Sequence, residues 1–122
     1  MGNKFLRLAV VYLLIGVCIG VTMAKQHDHT LAVVHAHINL LGWASMFLFG
    51  LFYRAFPEAE RSAFGYLHFW IHNIALPIQM VSLAMYVSGN ESVEGWVAGA
   101  SVAIVVGLVF FAINVWNSTR NG

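Results

Sequence analysis

Four long apolar runs, separated by short polar linkers, constrain this chain more than any other feature. They cover about Phe5–Ala24, Leu31–Tyr53, Phe64–Ser88 and Val93–Trp116. A helix that crosses a bilayer needs roughly 20 predominantly apolar residues, and each run supplies them. The linkers Lys25–Thr30, Arg54–Ala63 and Gly89–Ser92 are short, so consecutive helices should lie antiparallel as neighbours. Runs of this length are too long for barrel strands, and helices satisfy every backbone polar group inside lipid. The expected fold is an all-α membrane protein: one four-transmembrane-helix bundle, a single domain over residues 1–122. Composition removes the soluble alternative. The chain is 60% apolar and only 9% charged, with a mean hydropathy of +0.76, far from the range of water-soluble domains.

The few charges still carry information. A net charge of +1 without any basic run or stripe argues against a nucleic-acid partner and leaves membrane lipid as the expected surroundings. Lys4, Arg7, Arg54, Arg61 and Arg120 fall on one side of the four spans, and Lys25 alone falls on the other. By the positive-inside rule both termini are expected to be cytoplasmic, with a bacterial inner membrane as the location. Trp96 and Trp116 stand near the two ends of the fourth span, where interface anchors belong. Lys4 and Arg7 before an apolar stretch that ends Thr22-Met23-Ala24 also resemble a signal peptide. A run of about 20 residues exceeds the usual signal core, so a retained helix is expected. The single cysteine, Cys18, has no partner for an intrachain disulfide and reads as small apolar filler. Gly16 and Gly20 on the first helix, and Gly95, Gly99, Ala103 and Gly107 on the fourth, form small-xxx-small stripes. Such stripes let backbones approach closely in lipid, within one chain or between chains.

All six histidines fall in three groups: His27/His29, His35/His37 and His68/His72. Four lie inside expected spans, where an ionisable side chain is costly and suggests function. Residues two apart on a helix are about 200° apart around its axis. His35 and His37 therefore point to opposite flanks of the second helix and would serve two different sites. Asn39 follows His35 on the same face and would hydrogen-bond a ligand or its neighbour, while Gly42 would leave room for a flat macrocycle. His27-Asp28-His29 in the first loop could hold a divalent cation, or be a solvated turn. His68 and His72, four apart, share one face. They could bind one metal ion with a further ligand, or simply hydrogen-bond a neighbouring helix. Asn73 and Gln79 continue a polar trail, and Pro77 should kink the third span. No phosphate loop, nucleophile elbow or covalent haem motif is present, and Glu58, Glu60, Glu91 and Glu94 sit in loops or at helix ends. No catalytic residue is assigned.

The order of several motifs resembles subunit I of the haem–copper oxidases. His27-Asp28, then six residues, then His35-Ala36-His37, followed by Leu41-Gly42-Trp43, Phe49-Gly50-Leu51-Phe52-Tyr53 and Phe56-Pro57, is similar to that family's tenth helix and its exit. Leu67-His68-Phe69-Trp70-Ile71 is similar to the start of the eleventh. The likeness covers roughly residues 27–89. It implies that His35 and His37 are axial ligands to two different haems, and that His27 and Asp28 lie beside haem propionates and a magnesium ion. This chain has four expected helices where the family has twelve, and it lacks the copper ligands, the second-helix haem ligand and the His-x-x-x-Tyr pattern. A complete oxidase within one chain is excluded, so oxidoreductase activity would require an oligomer.

The family's twelve helices form three arcs of four, and the resembling helices occupy matching positions within one arc. A homotrimer of this chain is therefore expected, closed by cyclic symmetry. The leading functional expectation is a non-covalent, b-type haem in a membrane protein that passes electrons to a redox partner or binds a diatomic gas. The alternatives are a copper or other metal-binding protein using His27, His29, His35 and His37, and a structural or assembly factor without a cofactor.

Overall fold

A computed structural model describes residues 1–121. Among them are four helices long and apolar enough to cross a membrane. Helix α1 runs Gly2–Gln26 and α2 runs Ala32–Ala55. A short α3, Pro57–Arg61, interrupts the second linker. Helix α4 runs Ala63–Val87, and α5 runs Glu94–Thr119 after a single 3-10 turn at Glu91–Val93. The spans match the four apolar runs and overshoot them by one to three residues at several ends. Hydropathy marks the bilayer crossing, whereas capping groups decide where each helix stops.

The stops have local causes. His27 adopts the left-handed conformation (φ 52°, ψ 31°), and the Asp28 N–H donates to the Met23 carbonyl at 3.3 Å. These are the marks of a helix C-terminus closed by a left-handed residue. The arrangement gives the His27 backbone a structural role whatever its side chain does. At the start of α4 the Ser62 hydroxyl accepts the Gly65 N–H at 3.0 Å, an N-cap. In α3, Pro57 takes the first turn together with Glu58 and Glu60, where a fixed φ and negative charge both suit a helix start. The α4–α5 turn uses Gly89 at φ 108°, and Asn90 Oδ1 accepts the Ser92 N–H at 3.2 Å. Helix α4 continues through Pro77 as one helix.

The bundle is two hairpins. Helix α1 packs along α2, α4 packs along α5, and the hairpins meet mainly through α2 and α4. Most of the packed core lies in the half that holds the chain termini. There Phe5, Phe49, Tyr53 and Phe111 surround His68 at ring-centroid distances of 5.3, 4.5, 5.8 and 4.8 Å. Each well-placed aromatic pair contributes on the order of 1 kcal/mol beyond area burial. Only 17% of the most apolar window is buried in α1 and in α5, against 39% in α4. The first and last helices thus turn most of their surface outward, as lipid-facing helices would. Cys18 is on that outer surface, not among the core fillers.

The glycine stripes resolve in part. A Cβ on Gly20 would meet His35 Cε1 at 2.9 Å, and one on Gly16 would collide with the Asn39 side chain. This stripe packs within the chain, giving α2's polar side chains room against α1. Gly95 and Gly99 meet nothing within 4 Å, while Gly107 faces Ile71 on α4.

Candidate functional site

The second span is not one continuous α-helix. Residues Ala32–His37 are α-helical, Ile38–Ala44 form a π-helix, and Ser45–Ala55 return to α. A π segment widens the turn, and such segments occur frequently at functional sites. This one lies directly after His35 and His37. Its Leu41 carbonyl accepts a hydrogen bond from His72 Nε2 on α4 at 3.1 Å, so the irregular backbone is tied to the neighbouring hairpin.

His35 and His37 do point to different flanks. His35 turns toward α1, where its Nδ1–H donates to the Gly16 carbonyl at 2.9 Å. Asn39 Nδ2 then donates to His35 Nε2 at 3.2 Å. His37 donates its Nδ1–H to the Val33 carbonyl, one turn back on its own helix, at 2.7 Å. A carbonyl oxygen can only accept, so each ring carries its proton on Nδ1. In the neutral imidazole Nε2 is then the nitrogen with the free lone pair. A backbone carbonyl on the far nitrogen is the usual way a ligating imidazole is oriented. The two rings differ in what meets Nε2. Asn39 occupies that of His35, while that of His37 has no hydrogen-bond partner among the described residues, on a half-buried side chain.

Room for a macrocycle beside Gly42 is not found. Tyr12 of α1 fills that space, and a Cβ on Gly42 would meet its ring at 2.6 Å. Gly42 serves the α1–α2 contact instead. As folded, His35 is enclosed by α1 and Asn39, whereas His37 Nε2 meets no hydrogen-bond partner among the described residues. Apolar grooves on the outer surface include one along α1 with Leu14 and Cys18, one between α4 and α5 with Trp70, Trp96 and Gly99, and one beside it with Pro77, Val81 and Met85. None of these three is lined by a histidine.

In the first loop His27, Asp28 and His29 are all exposed. Asp28 Oδ1 accepts from the Thr30 N–H at 3.0 Å and from the Thr30 hydroxyl at 2.6 Å. These bonds hold the Asp28 carboxyl below its ordinary value of 3.8, because they favour the charged form. No group of three His, Cys, Asp or Glu side chains comes together in a metal-holding arrangement among the described residues.

His68 and His72 are completely buried. His68 Nδ1 lies 2.8 Å from the Tyr53 hydroxyl, and His72 holds the Leu41 carbonyl. Both therefore join α4 to α2, the helix-to-helix bonding that was one of the two readings of this pair. Each keeps one buried nitrogen without a partner, His68 Nε2 and His72 Nδ1. Further along α4, Gln79 Nε2 donates to the Ser101 hydroxyl on α5 at 2.7 Å, and Asn73 bonds back to the Phe69 carbonyl at 2.8 Å. The roles of Tyr53 and Leu41 could not be read from the sequence, since their histidine partners lie on another helix and no local spacing links them.

The fold and side chains thus define a class: an all-helical chain with four helices long and apolar enough to cross a membrane, carrying histidines inside two of them. No protein-family model, curated protein or solved structure matches the chain.

Proposed function

We propose that this is an integral membrane protein that binds haem through His37 and serves in electron transfer or in binding a diatomic gas. The observation that carries the reading is the state of His37: Nδ1–H pinned to the Val33 carbonyl at 2.7 Å, with Nε2 left available on the flank of α2 away from α1. An axial imidazole needs that tautomer and that orientation. The order of His27-Asp28, His35-Ala36-His37 and the aromatic positions that follow, similar to haem–copper oxidase subunit I, supports haem over other ligands. Haem bound there would supply a reversible one-electron couple, or an open iron position, tuned by its axial ligand and apolar surroundings.

The chain's own residues supply the rest. The Val33 carbonyl orients the ring, and the exposed Val33 and Leu40 make its surroundings apolar. A second copy of the chain would enclose the group on the flank of α2 that carries His37. A homotrimer with His37 at the contact between copies provides that copy. Closed symmetry also limits how much apolar surface stays open.

The test is optical. Protein purified from a haem-replete host should show a Soret band that shifts on dithionite reduction, and His37→Ala should abolish it. A wild-type spectrum retained by His37→Ala removes His37 as the ligand.

A further inference from the structure

The two unpaired nitrogens of the third span belong to neighbouring rings, and neither has a hydrogen-bond partner among the described residues. His68 and His72 share one face of α4, with ring centroids 5.8 Å apart and planes inclined at 59°. Both side chains have zero exposure. A buried polar atom without a partner is costly, and two on adjacent imidazoles point to a shared guest. The hydrogen bonds state what the guest meets. His72 Nε2 donates to a carbonyl, so His72 Nδ1 is a bare lone pair. His68 Nδ1 faces a hydroxyl that can either give or accept. When His68 donates to the Tyr53 oxygen, His68 Nε2 is a second bare lone pair.

We infer that His68 Nε2 and His72 Nδ1 form a two-coordinate site for a monovalent soft cation, copper(I), inside the aromatic core. Two imidazoles that share one ion in a line, each nitrogen about 2 Å from it, have centroids roughly 6 Å apart, close to the spacing here. Zinc and copper(II) take three or four ligands, and no third histidine, cysteine or carboxylate joins this pair. Copper(I) accepts two. Its single charge is also the least costly to hold in an apolar interior, and aromatic rings favour a cation beside them. Phe5, Phe49 and Phe111 all lie within 5.3 Å of the His68 ring, centroid to centroid.

Tyr53, which holds His68, also lines a polar cleft of about 210 Å³ with Met1, Arg54 and Glu60 at the termini end of the bundle. Binding involves no redox step and no net loss of a proton, because the metal arrives as copper(I) and His68 keeps its one proton on Nδ1, donated to the Tyr53 oxygen, which sets its tautomer. The inference does not depend on the haem reading, which concerns another face of another helix.

The test is anaerobic titration of the full-length detergent-purified protein with copper(I) against a chromophoric copper(I) chelator. X-ray absorption at the copper edge then reads the coordination of what is retained. The expected result is one copper(I) per chain with the edge feature of linear two-nitrogen coordination. Silver(I) should displace it one for one, and zinc should not. His68→Gln with His72→Gln should lower retention at least tenfold, while His27→Ala with His29→Ala should leave it unchanged. The edge spectrum needs no variant and stands even where the double glutamine protein folds poorly. No retained copper, an edge showing three or more ligands, or unchanged retention in a folded double variant would each overturn the site.

Discussion

His35 and His37 are two residues apart, yet the atoms that meet their Nε2 nitrogens set different expectations for their substitution. His37 Nε2 is unengaged among the described residues, whereas Asn39 holds that of His35 at 3.2 Å. His37→Ala should therefore abolish the Soret band, and His35→Ala should keep at least half of it. The reverse order in absorbance spectra of the two variants contradicts this assignment. Gly20 is the slot into which His35 packs. Gly20→Val should destabilise the bundle by about 1–3 kcal/mol through overpacking, read as a lower unfolding midpoint in detergent. In the first loop Thr30 holds Asp28 below its ordinary value of 3.8. A depressed folded value means that the loop's extra order is present above that ordinary value and is lost as pH falls through the folded one. Thr30→Ala should raise the Asp28 midpoint toward 3.8, checked by NMR titration of the carboxyl carbon.

The helices were legible as elements because a bilayer crossing imposes a length on apolar sequence, and four such lengths stand in the chain. What hydropathy could not supply was their detail. Helix α3 escaped although Pro57, Glu58 and Glu60 are helix-start residues, because five residues leave no periodicity. The π segment left no trace, since its geometry is tied to a partner, His72, on another helix. The chemistry of the candidate site was half legible. Opposite flanks for His35 and His37 follow from helix geometry, and the Val33 carbonyl lies one turn back. The enclosure of His35 by Gly16, Gly20 and Asn39 depends on how α1 lies against α2, and the space assigned to a macrocycle at Gly42 belongs to Tyr12. The π segment has a direct test. Deleting Leu40, an exposed residue, removes the extra residue of the wide turn and should return α2 to continuous α-helix with its two halves near their present orientation, taking the Leu41 carbonyl into the helix's own ladder. His72 then loses the Leu41 carbonyl. The bundle should keep its helicity by circular dichroism and lose about 1–3 kcal/mol for an unpaired buried donor. Unchanged stability would show that the π turn carries no such contact.

At the scale of the whole molecule, two well-joined hairpins meet across a core packed most heavily at one end, and the first and last helices leave most of their surface open. That is a unit suited to neighbours. If copies complete the His37 site, haem content and assembly must vary together: native mass spectrometry should give three chains, and His37→Ala should weaken or abolish that species as it loses haem. Monomer alone in the haem-bound wild type contradicts a site shared between copies. The claim beneath all of this is that the chain holds haem. Its most direct measurement is the reduced-minus-oxidised spectrum of the purified wild-type protein, with haem quantified by extraction. A Soret band that shifts on reduction and a haem content that scales with protein are expected. A featureless spectrum and no extractable haem, from a host supplied with haem in excess, would contradict it.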